Sequence, residues 1–345
     1  MKLLVKDIIK ETDEAVSISF KNGNFFKKLK YKPGQFLTIH VPIKDKVHKR
    51  AYSFSSNPYT DKDLKITIKR VEEGLVSNYV HDNLKVGDKL KVDDPAGSFF
   101  VQPEKTVKKQ YVLFAGGSGV TPIFSILKSV LSKEKDSKVL LVYANRTVDS
   151  IIFHNEILAL EQEYPNNLEV EHIISSEEDS SKINEKFHTG FLTKELLDNI
   201  FERRNLKYED HTYMICGPFG YMEKVKEILR DNGITRDKIK LEVFKLPEIK
   251  LSGKDLTSEV TIKHQGQEHQ LSVRGDKTIL QQAMFNNIVI PYSCRSGMCS
   301  SCKAKCTEGE VKMIEGHILP ENEVNSGTIL TCVSYPLSEK VTIEI

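Results

Sequence analysis

Short runs that alternate between hydrophobic and polar residues fill the first third of the chain. Alternation with a period of two is typical of strands with one buried face. Turn pairs such as Asn22-Gly23 and Pro33-Gly34 separate the runs. Residues 1–105 are therefore predicted to form a small antiparallel β-barrel. Its predicted strands cover residues 2–8, 15–20, 35–41, 65–71 and 89–93.

From about residue 106, apolar runs are followed by segments with helical periodicity. Strands that alternate with helices indicate βαβ units and a parallel sheet. Residues 106–245 are therefore predicted to form an α/β domain. Its predicted strands are 111–115, 138–144 and 213–216, and its predicted helices are 122–132, 152–164 and 221–232.

The end of the chain has a mixed pattern. The composition of residues 246–257 predicts a linker. Residues 258–345 are predicted to form a compact α+β domain. Its elements are strands at 259–264, 268–273 and 340–345 and a helix at 278–286.

Composition narrows the class of protein. The 345 residues suit two or three domains, and 39% hydrophobic and 28% charged residues are ordinary for a globular chain. A formal net charge of +2 gives no strong field for nucleic acid or anionic lipid. No apolar run is long enough to span a bilayer. Charged residues near the start interrupt any signal-peptide core, so we expect a cytoplasmic protein with no nucleic-acid partner and no membrane span.

Four of the six cysteines lie within residues 294–306. Cys294 and Cys299 are separated by four residues, Cys299 and Cys302 by two, and Cys332 follows after 29 more. This is the plant-type spacing for a [2Fe–2S] cluster held by four thiolates. A structural zinc or buried free thiols are the alternatives, but zinc modules usually carry two paired knuckles. Cys306 is predicted to be a core cysteine on a strand.

The motif Cys-Arg-Ser-Gly-Met-Cys-Ser-Ser-Cys makes residues 255–345 similar to a plant-type ferredoxin domain. The resemblance implies a β-grasp fold. It also implies that Cys294, Cys299, Cys302 and Cys332 bind the cluster.

A second motif, Arg50-Ala51-Tyr52-Ser53, follows an inferred strand and resembles the Arg-x-Tyr-Ser motif of the ferredoxin–NADP reductase superfamily. In that superfamily the motif binds flavin. The resemblance implies that Arg50 clamps a phosphate, that Tyr52 offers a flat face to the isoalloxazine, and that Ser53 bonds the flavin N5. Pro33-Gly34-Gln35-Phe36 and the barrel-closing segment 94–99 match the same family, but neither is assigned a ligand.

The turn Gly74-Leu75-Val76-Ser77 is similar to the Gly-x-x-Ser turn of the same superfamily. The resemblance implies that backbone N–H groups around Gly74, Val76 and Ser77 bind the flavin pyrophosphate at a helix start. These motif forms favour FAD over FMN.

A strand, a glycine loop and a helix start follow one another at residues 111–122, where the loop can approach a pyrophosphate. The Gly-x-Gly-x-Thr-Pro form is the one expected in this superfamily. The resemblance extends to Cys216-Gly217-Pro218 beside the nicotinamide, and to a glutamate and an aromatic residue near the flavin. The implied nicotinamide-site residues are Gly116, Gly117, Gly119, Thr121, Pro122, Cys216, Gly217 and Pro218, with Glu242 and Phe244 near the flavin. Ser53, Cys216 and Glu242 are predicted to converge where hydride passes.

Arg146 follows the second strand of the α/β domain, where an NAD enzyme of Rossmann type tends to carry an acid. An arginine suits a 2′-phosphate, so NADPH is preferred. Asp149 lies close by in the sequence, so NADH stays an alternative.

The order of reductase domains followed by ferredoxin resembles the phenylacetyl-CoA epoxidase reductases and related oxygenase reductases. It implies an NAD(P)H-dependent enzyme that sends electrons through FAD and a [2Fe–2S] cluster to an oxygenase or hydroxylase component. A free-standing ferredoxin or diaphorase-type reductase is one alternative. A non-enzymatic redox sensor is another, but a sensor needs no hydride site.

Overall fold

The computed structural model describes residues 1–21, 29–209, 211–245, 257–314 and 316–345. These residues form two compact units, Met1–Glu242 and Val243–Ile345. The predicted linker lies outside the described residues except for Thr257, which begins a strand.

The first part of unit one is an antiparallel sheet, as the alternating pattern predicted. Its strand order is β4-β3-β6-β1-β2-β5. The sheet closes where Phe54, just after β4, forms a bridge with Ile66 of β5. Alternate residues such as Leu37 and Ile39 are fully buried inside. The elements are β1 (Lys2–Thr12), β2 (Ala15–Phe20), β3 (Phe36–Ile43), β4 (Lys46–Ser53), β5 (Leu64–Lys69), helix α1 (Leu75–Asn83) and β6 (Lys89–Val92).

The second part of unit one is a parallel sheet with helices between its strands. Its strands are β7 (Gln110–Gly116), β8 (Lys138–Asn145), β9 (Leu168–Ile174), β10 (Phe187–Thr189), β11 (His211–Cys216) and β12 (Ile239–Glu242). Its helices are α2 (Val120–Lys133), α3 (His154–Glu163), α4 (Lys194–Arg203) and α5 (Phe219–Asp231).

The strand order of this sheet is β10-β9-β8-β7-β11-β12. The chain winds outward from β7 to β10 and then returns to the other side of β7 with β11. Ligands of open parallel sheets bind at such a switch point, beyond the carboxyl ends of the strands. The glycine loop after β7 and the turn after β11 therefore flank the expected binding crevice.

Unit two is an α+β fold, as predicted. Its main sheet has the order β14-β13-β19-β15-β17, with β13 and β19 parallel, and β16 pairs separately with β18. Its elements are β13 (Thr257–His264), β14 (Gln267–Arg274), α6 (Ile279–Phe285), β15 (Lys303–Glu308), β16 (Val311–Met313), α7 (Glu321–Asn325), β17 (Thr328–Leu330), β18 (Ser334–Pro336) and β19 (Lys340–Glu344). Of the helices that the structure describes, none is long and apolar enough to cross a membrane.

Candidate functional site

The flavin motif lies within a strand rather than after one, which corrects the expectation from sequence. Arg50 and Tyr52 share one face of β4, and the buried Ser53 ends it. The strand was not predicted because Lys46–Arg50, at its start, is rich in charge and has no apolar alternation. It forms because β4 pairs with β3 along its whole length. Burial raises the pKa of Tyr52 to about 12, so its phenol stays protonated.

Gly74 stands directly before helix α1. A Cβ at this position would lie 2.4 Å from the Ser77 Oγ and 2.9 Å from the Val71 carbonyl oxygen. The Ser77 hydroxyl donates to the Gly74 carbonyl at 3.1 Å and accepts from the Val71 N–H at 3.2 Å. The first N–H groups of a helix lack partners within it and attract anions. The tight turn thus presents a helix start suited to a flavin phosphate.

The Pro-Gly-Gln-Phe turn and the barrel-closing segment pack against each other. Gly34 has a φ of +98°, and a Cβ there would lie 2.1 Å from the Phe99 carbonyl oxygen. The Gln35 side-chain amide donates to the Gly97 carbonyl at 3.3 Å, and Phe36 bridges Ala96. These two motifs therefore pack together and have a structural role beside β4.

The glycines of the nicotinamide loop differ in their surroundings. A Cβ on Gly119 would lie 2.2 Å from the Cys216 carbonyl oxygen, and one on Gly116 would lie 2.7 Å from Pro218 Cδ. A Cβ on Gly217 would lie 3.0 Å from the Gly116 Cα, so the lack of side chains on these three glycines lets the two loops pack against each other. Gly117 differs, because it has a φ of +50° and, apart from its chain neighbours, no described residue has a heavy atom within 4 Å of its Cβ position.

Gly117 therefore offers bare backbone to a ligand at the start of α2. Beside it, the Thr121 hydroxyl donates to the Ser118 carbonyl at 3.0 Å, which fixes the first turn of the helix. Pro122 lies in the same turn, where its missing N–H costs no helical hydrogen bond.

Cys216 and Glu242 meet at the carboxyl ends of neighbouring strands. They are paired in the register of β11 and β12, and their side chains are 0% and 4% exposed. Burial, and then the Glu242 charge, raise the pKa of the Cys216 thiol well above its usual range. The thiol is therefore neutral near pH 7.

Tyr221 was not identified from the sequence. Its ring edge lies 3.1 Å and 3.0 Å from the Cβ positions of Gly116 and Gly217, and its hydroxyl donates to the Val142 carbonyl at 3.2 Å. The Tyr221 ring therefore packs against both the loop after β7 and the turn after β11.

A set of polar contacts, also missed from sequence, attaches the barrel to α2 just beyond Ser53. The Ser125 hydroxyl donates to the Ser56 carbonyl at 2.6 Å. The Asn57 amide donates to the Lys128 carbonyl at 3.1 Å and accepts from the Ser129 hydroxyl at 3.1 Å. The flavin strand and the helix behind the glycine loop are thus held together within unit one.

Arg146 follows β8, is exposed, and forms no ion pair with any residue that the structure describes. Asp149, the residue that kept NADH open, is paired with Lys182 at 2.5 Å. Phe244 is 41% exposed and belongs to unit two, whereas Glu242 ends unit one.

The four predicted cluster ligands lie in two pairs. Contact between Cys294 and Cys299 raises the pKa of the first and lowers that of the second. Contact between Cys302 and Cys332 lowers the pKa of Cys302 and raises that of Cys332. Among the described residues, no group of three or more His, Cys, Asp or Glu side chains is placed to hold a single metal ion. Two thiol pairs fit a two-iron cluster.

The loop that carries these cysteines directs N–H groups at sulfur. Ser296 and Met298 donate to the Cys294 Sγ at 3.4 Å. Arg295, Gly297 and Ser300 all have positive φ values, which produce the tight turn. Hydrogen bonds to sulfur tune iron–sulfur centres. Cys306 is half-buried on β15 with its thiol against the carbonyls of Glu308 and Gly309, away from this loop.

The fold and these sites define a class: a reductase with separate flavin, nicotinamide and iron–sulfur modules. Comparison with known families agrees. Residues 2–101 match the oxidoreductase FAD-binding domain, residues 113–227 the oxidoreductase NAD-binding domain, and residues 262–337 the 2Fe-2S iron-sulfur cluster binding domain.

Individual relatives cover almost the whole chain. The ferredoxin reductase component of 3-ketosteroid-9-alpha-monooxygenase from Rhodococcus rhodochrous is 34% identical over 99% of this chain and 96% of its own. A subunit of 1,2-phenylacetyl-CoA epoxidase from Escherichia coli is 29% identical over 99% and 96%. The structure of phthalate dioxygenase reductase superposes with a TM-score of 0.66 at 21% identity, covering 100% of this chain and 98% of that one.

The chain therefore belongs to the family of oxygenase reductase components with a fused [2Fe–2S] domain, within the ferredoxin–NADP reductase superfamily. It is an oxidoreductase that uses FAD, a pyridine nucleotide and a [2Fe–2S] cluster.

Proposed function

We propose that this protein takes electrons from NADPH and delivers them, through FAD and the [2Fe–2S] cluster, to an oxygenase or hydroxylase component. The observation that carries the proposal is the presence of all three modules in one chain that aligns end to end with oxygenase reductases. The flavin, when bound, supplies the step between a two-electron hydride donor and one-electron acceptors.

We assign the flavin module to residues 1–105, the nicotinamide module to 106–245, the linker to 246–257 and the ferredoxin module to 258–345. In the flavin module, Arg50 holds a phosphate, Tyr52 lies against the ring system and Ser53 bonds its reactive nitrogen. The start of helix α1 adds the N–H groups of Val76 and Ser77, and Gly74, whose own N–H donates to the Val71 carbonyl at 2.9 Å, forms the tight turn that lets the pyrophosphate approach them. A pyrophosphate site of this kind favours FAD over FMN.

In the nicotinamide module, the backbone at Gly117 lies against the pyrophosphate, and the neutral Cys216 thiol contacts the nicotinamide. Glu242 is buried beside Cys216, and this arrangement supports a role near the flavin. For Phe244, the family resemblance alone supports a role as the aromatic residue near the flavin. Arg146 holds the 2′-phosphate, because its guanidinium is exposed while the nearby Asp149 is already paired. Cys294, Cys299, Cys302 and Cys332 hold the cluster.

We also propose that the protein acts in the cytoplasm. The six cysteines are free in the structure, and a reducing compartment keeps thiols available for a cluster.

The test compares acceptors in full-length protein. Cys299→Ser, provided it folds with flavin, should keep nicotinamide-driven ferricyanide reduction but lose reduction of cytochrome c or of an oxygenase component. Cys306→Ser is the matched control and should retain both. If Cys299→Ser leaves cytochrome c reduction unchanged, the cluster is not the exit for that acceptor and a diaphorase-type reductase is the better description.

A further inference from the structure

The loops after β8 and β9 are joined beside Arg146. The Ser176 N–H donates to the Arg146 carbonyl at 2.8 Å, and the Val148 N–H donates to the Glu177 carboxylate at 2.9 Å. These bonds hold both loops at the carboxyl edge of the sheet, where the adenosine end of a dinucleotide lies in open α/β folds. Charges on either loop therefore act on the same part of the ligand.

Most acids of this region are already bonded within the loops. Glu177 accepts from backbone N–H groups of Val148 and Asp179, and Asp179 caps Ser181. Asp149 instead depends on one side chain, because its Oδ2 lies 2.5 Å from the Lys182 Nζ. Lys182 is the only basic residue in the sequence from 175 to 182.

The state of Asp149 matters for the choice of nucleotide. A free carboxylate here can accept a hydrogen bond from the ribose 2′-hydroxyl of NADH, and it repels the 2′-phosphate of NADPH. Lys182 is charged at neutral pH, and its hydrogen bond to Asp149 raises its pKa further.

We propose that Lys182 is a specificity-determining residue that acts through Asp149. By holding the carboxylate, it removes an acceptor for the NADH ribose and lowers repulsion of the NADPH phosphate. This inference rests on the proposed binding of the nucleotide's adenosine end beside Arg146, and it assigns the selectivity to an ion pair between two loops rather than to the arginine alone.

The experiment uses the holoenzyme with Lys182→Ala, Asp149→Asn and the double variant. Lys186→Ala is the control, because Lys186 lies on the same connection and forms an ion pair of its own, at 3.2 Å, with Glu161, whose side chain is 13% exposed. Two quantities are measured: the ratio of kcat/KM for NADPH to that for NADH, and, by calorimetry without turnover, the Kd of adenosine 2′,5′-bisphosphate against that of AMP.

Lys182→Ala should lower both preferences for the phosphorylated ligand by roughly five- to tenfold, mainly through KM, and the effect should shrink at high salt. In the Asp149→Asn background the same change should have a smaller effect. Equal shifts in both backgrounds, or a shift no larger than that of Lys186→Ala, would overturn the role of the pair. A wild-type preference for NADH would instead contradict the NADPH proposal, and the coupling would still be measured from the change in the ratio.

Discussion

Cys216 lies directly opposite Glu242 in the register of two parallel strands, and both side chains are buried. Because burial and the nearby carboxylate raise the pKa of the Cys216 thiol, the thiol carries no charge in the physiological range. We expect Cys216→Ala to slow flavin reduction by the nicotinamide without changing the pH profile between about pH 6 and 9. Stopped-flow measurement across that range checks this. A pH step that disappears in the variant would show that the thiol ionises.

The cysteine pairs predict which cysteine variants lose the cluster and which retain it. Cys294→Ser and Cys332→Ser each remove one thiol from a different pair and should abolish the cluster. Cys306→Ser should retain about two irons and two sulfides per chain. Iron, sulfide and zinc analysis with a visible spectrum distinguishes these results. Stoichiometric zinc without iron in the wild type would refute the assignment.

Gly119 tests the contact between the two nicotinamide loops. Its backbone φ of −62° suits any residue, so the cost of Gly119→Ala is the collision of its Cβ with the Cys216 carbonyl, 2.2 Å away. We expect lower thermal stability and a raised KM for the nicotinamide. Gly220→Ala is the control, because among the described residues outside its own helical turn none has a heavy atom within 4 Å of its Cβ position, and alanine favours the helix. Similar behaviour of the two variants would contradict the steric account.

Arg146 tests the cofactor proposal. Arg146→Ala should raise the KM for NADPH by about 10- to 150-fold, which corresponds to about 1.5–3 kcal/mol for a charge-assisted hydrogen bond. The KM for NADH should change far less. Arg230→Ala, which removes another exposed arginine, serves as the control. Steady-state kinetics with both nucleotides decide the matter, and equal effects on the two would exclude a phosphate contact.

Asn57 connects the flavin strand to helix α2. Asn57→Ala removes hydrogen bonds to Lys128 and Ser129 in a buried position, so we expect a loss of about 1–3 kcal/mol in the free energy of unfolding. Thr60→Ala, at an exposed position three residues further along the chain, should cost much less. Denaturant unfolding of both variants gives the comparison. Near-equal stabilities would show that the Asn57 contacts with α2 contribute little.

Sequence and structure differ most at β4. The motif Arg-Ala-Tyr-Ser predicted a flavin site from the sequence, yet Lys46–Arg50 gave no strand signal because its side chains are mostly charged. The strand exists because β3 supplies its hydrogen bonds. Helix α4 and strands β9 and β10 were likewise not predicted, although β9 contains buried residues such as Val170 and Ile173.

The sequence by itself determined the class of protein, the glycine loop and the four predicted cluster ligands. Those features depend on residue types at fixed spacings within short segments, so they are visible before folding. The tertiary structure decided that Gly116 and Gly119 of the nicotinamide loop pack against protein while Gly117 faces open space. It also decided that Cys216 lies beside Glu242 and that Asn57 packs on α2. These contacts join segments far apart in the chain, and the strand order and register of the sheets, rather than local pattern, bring such segments together.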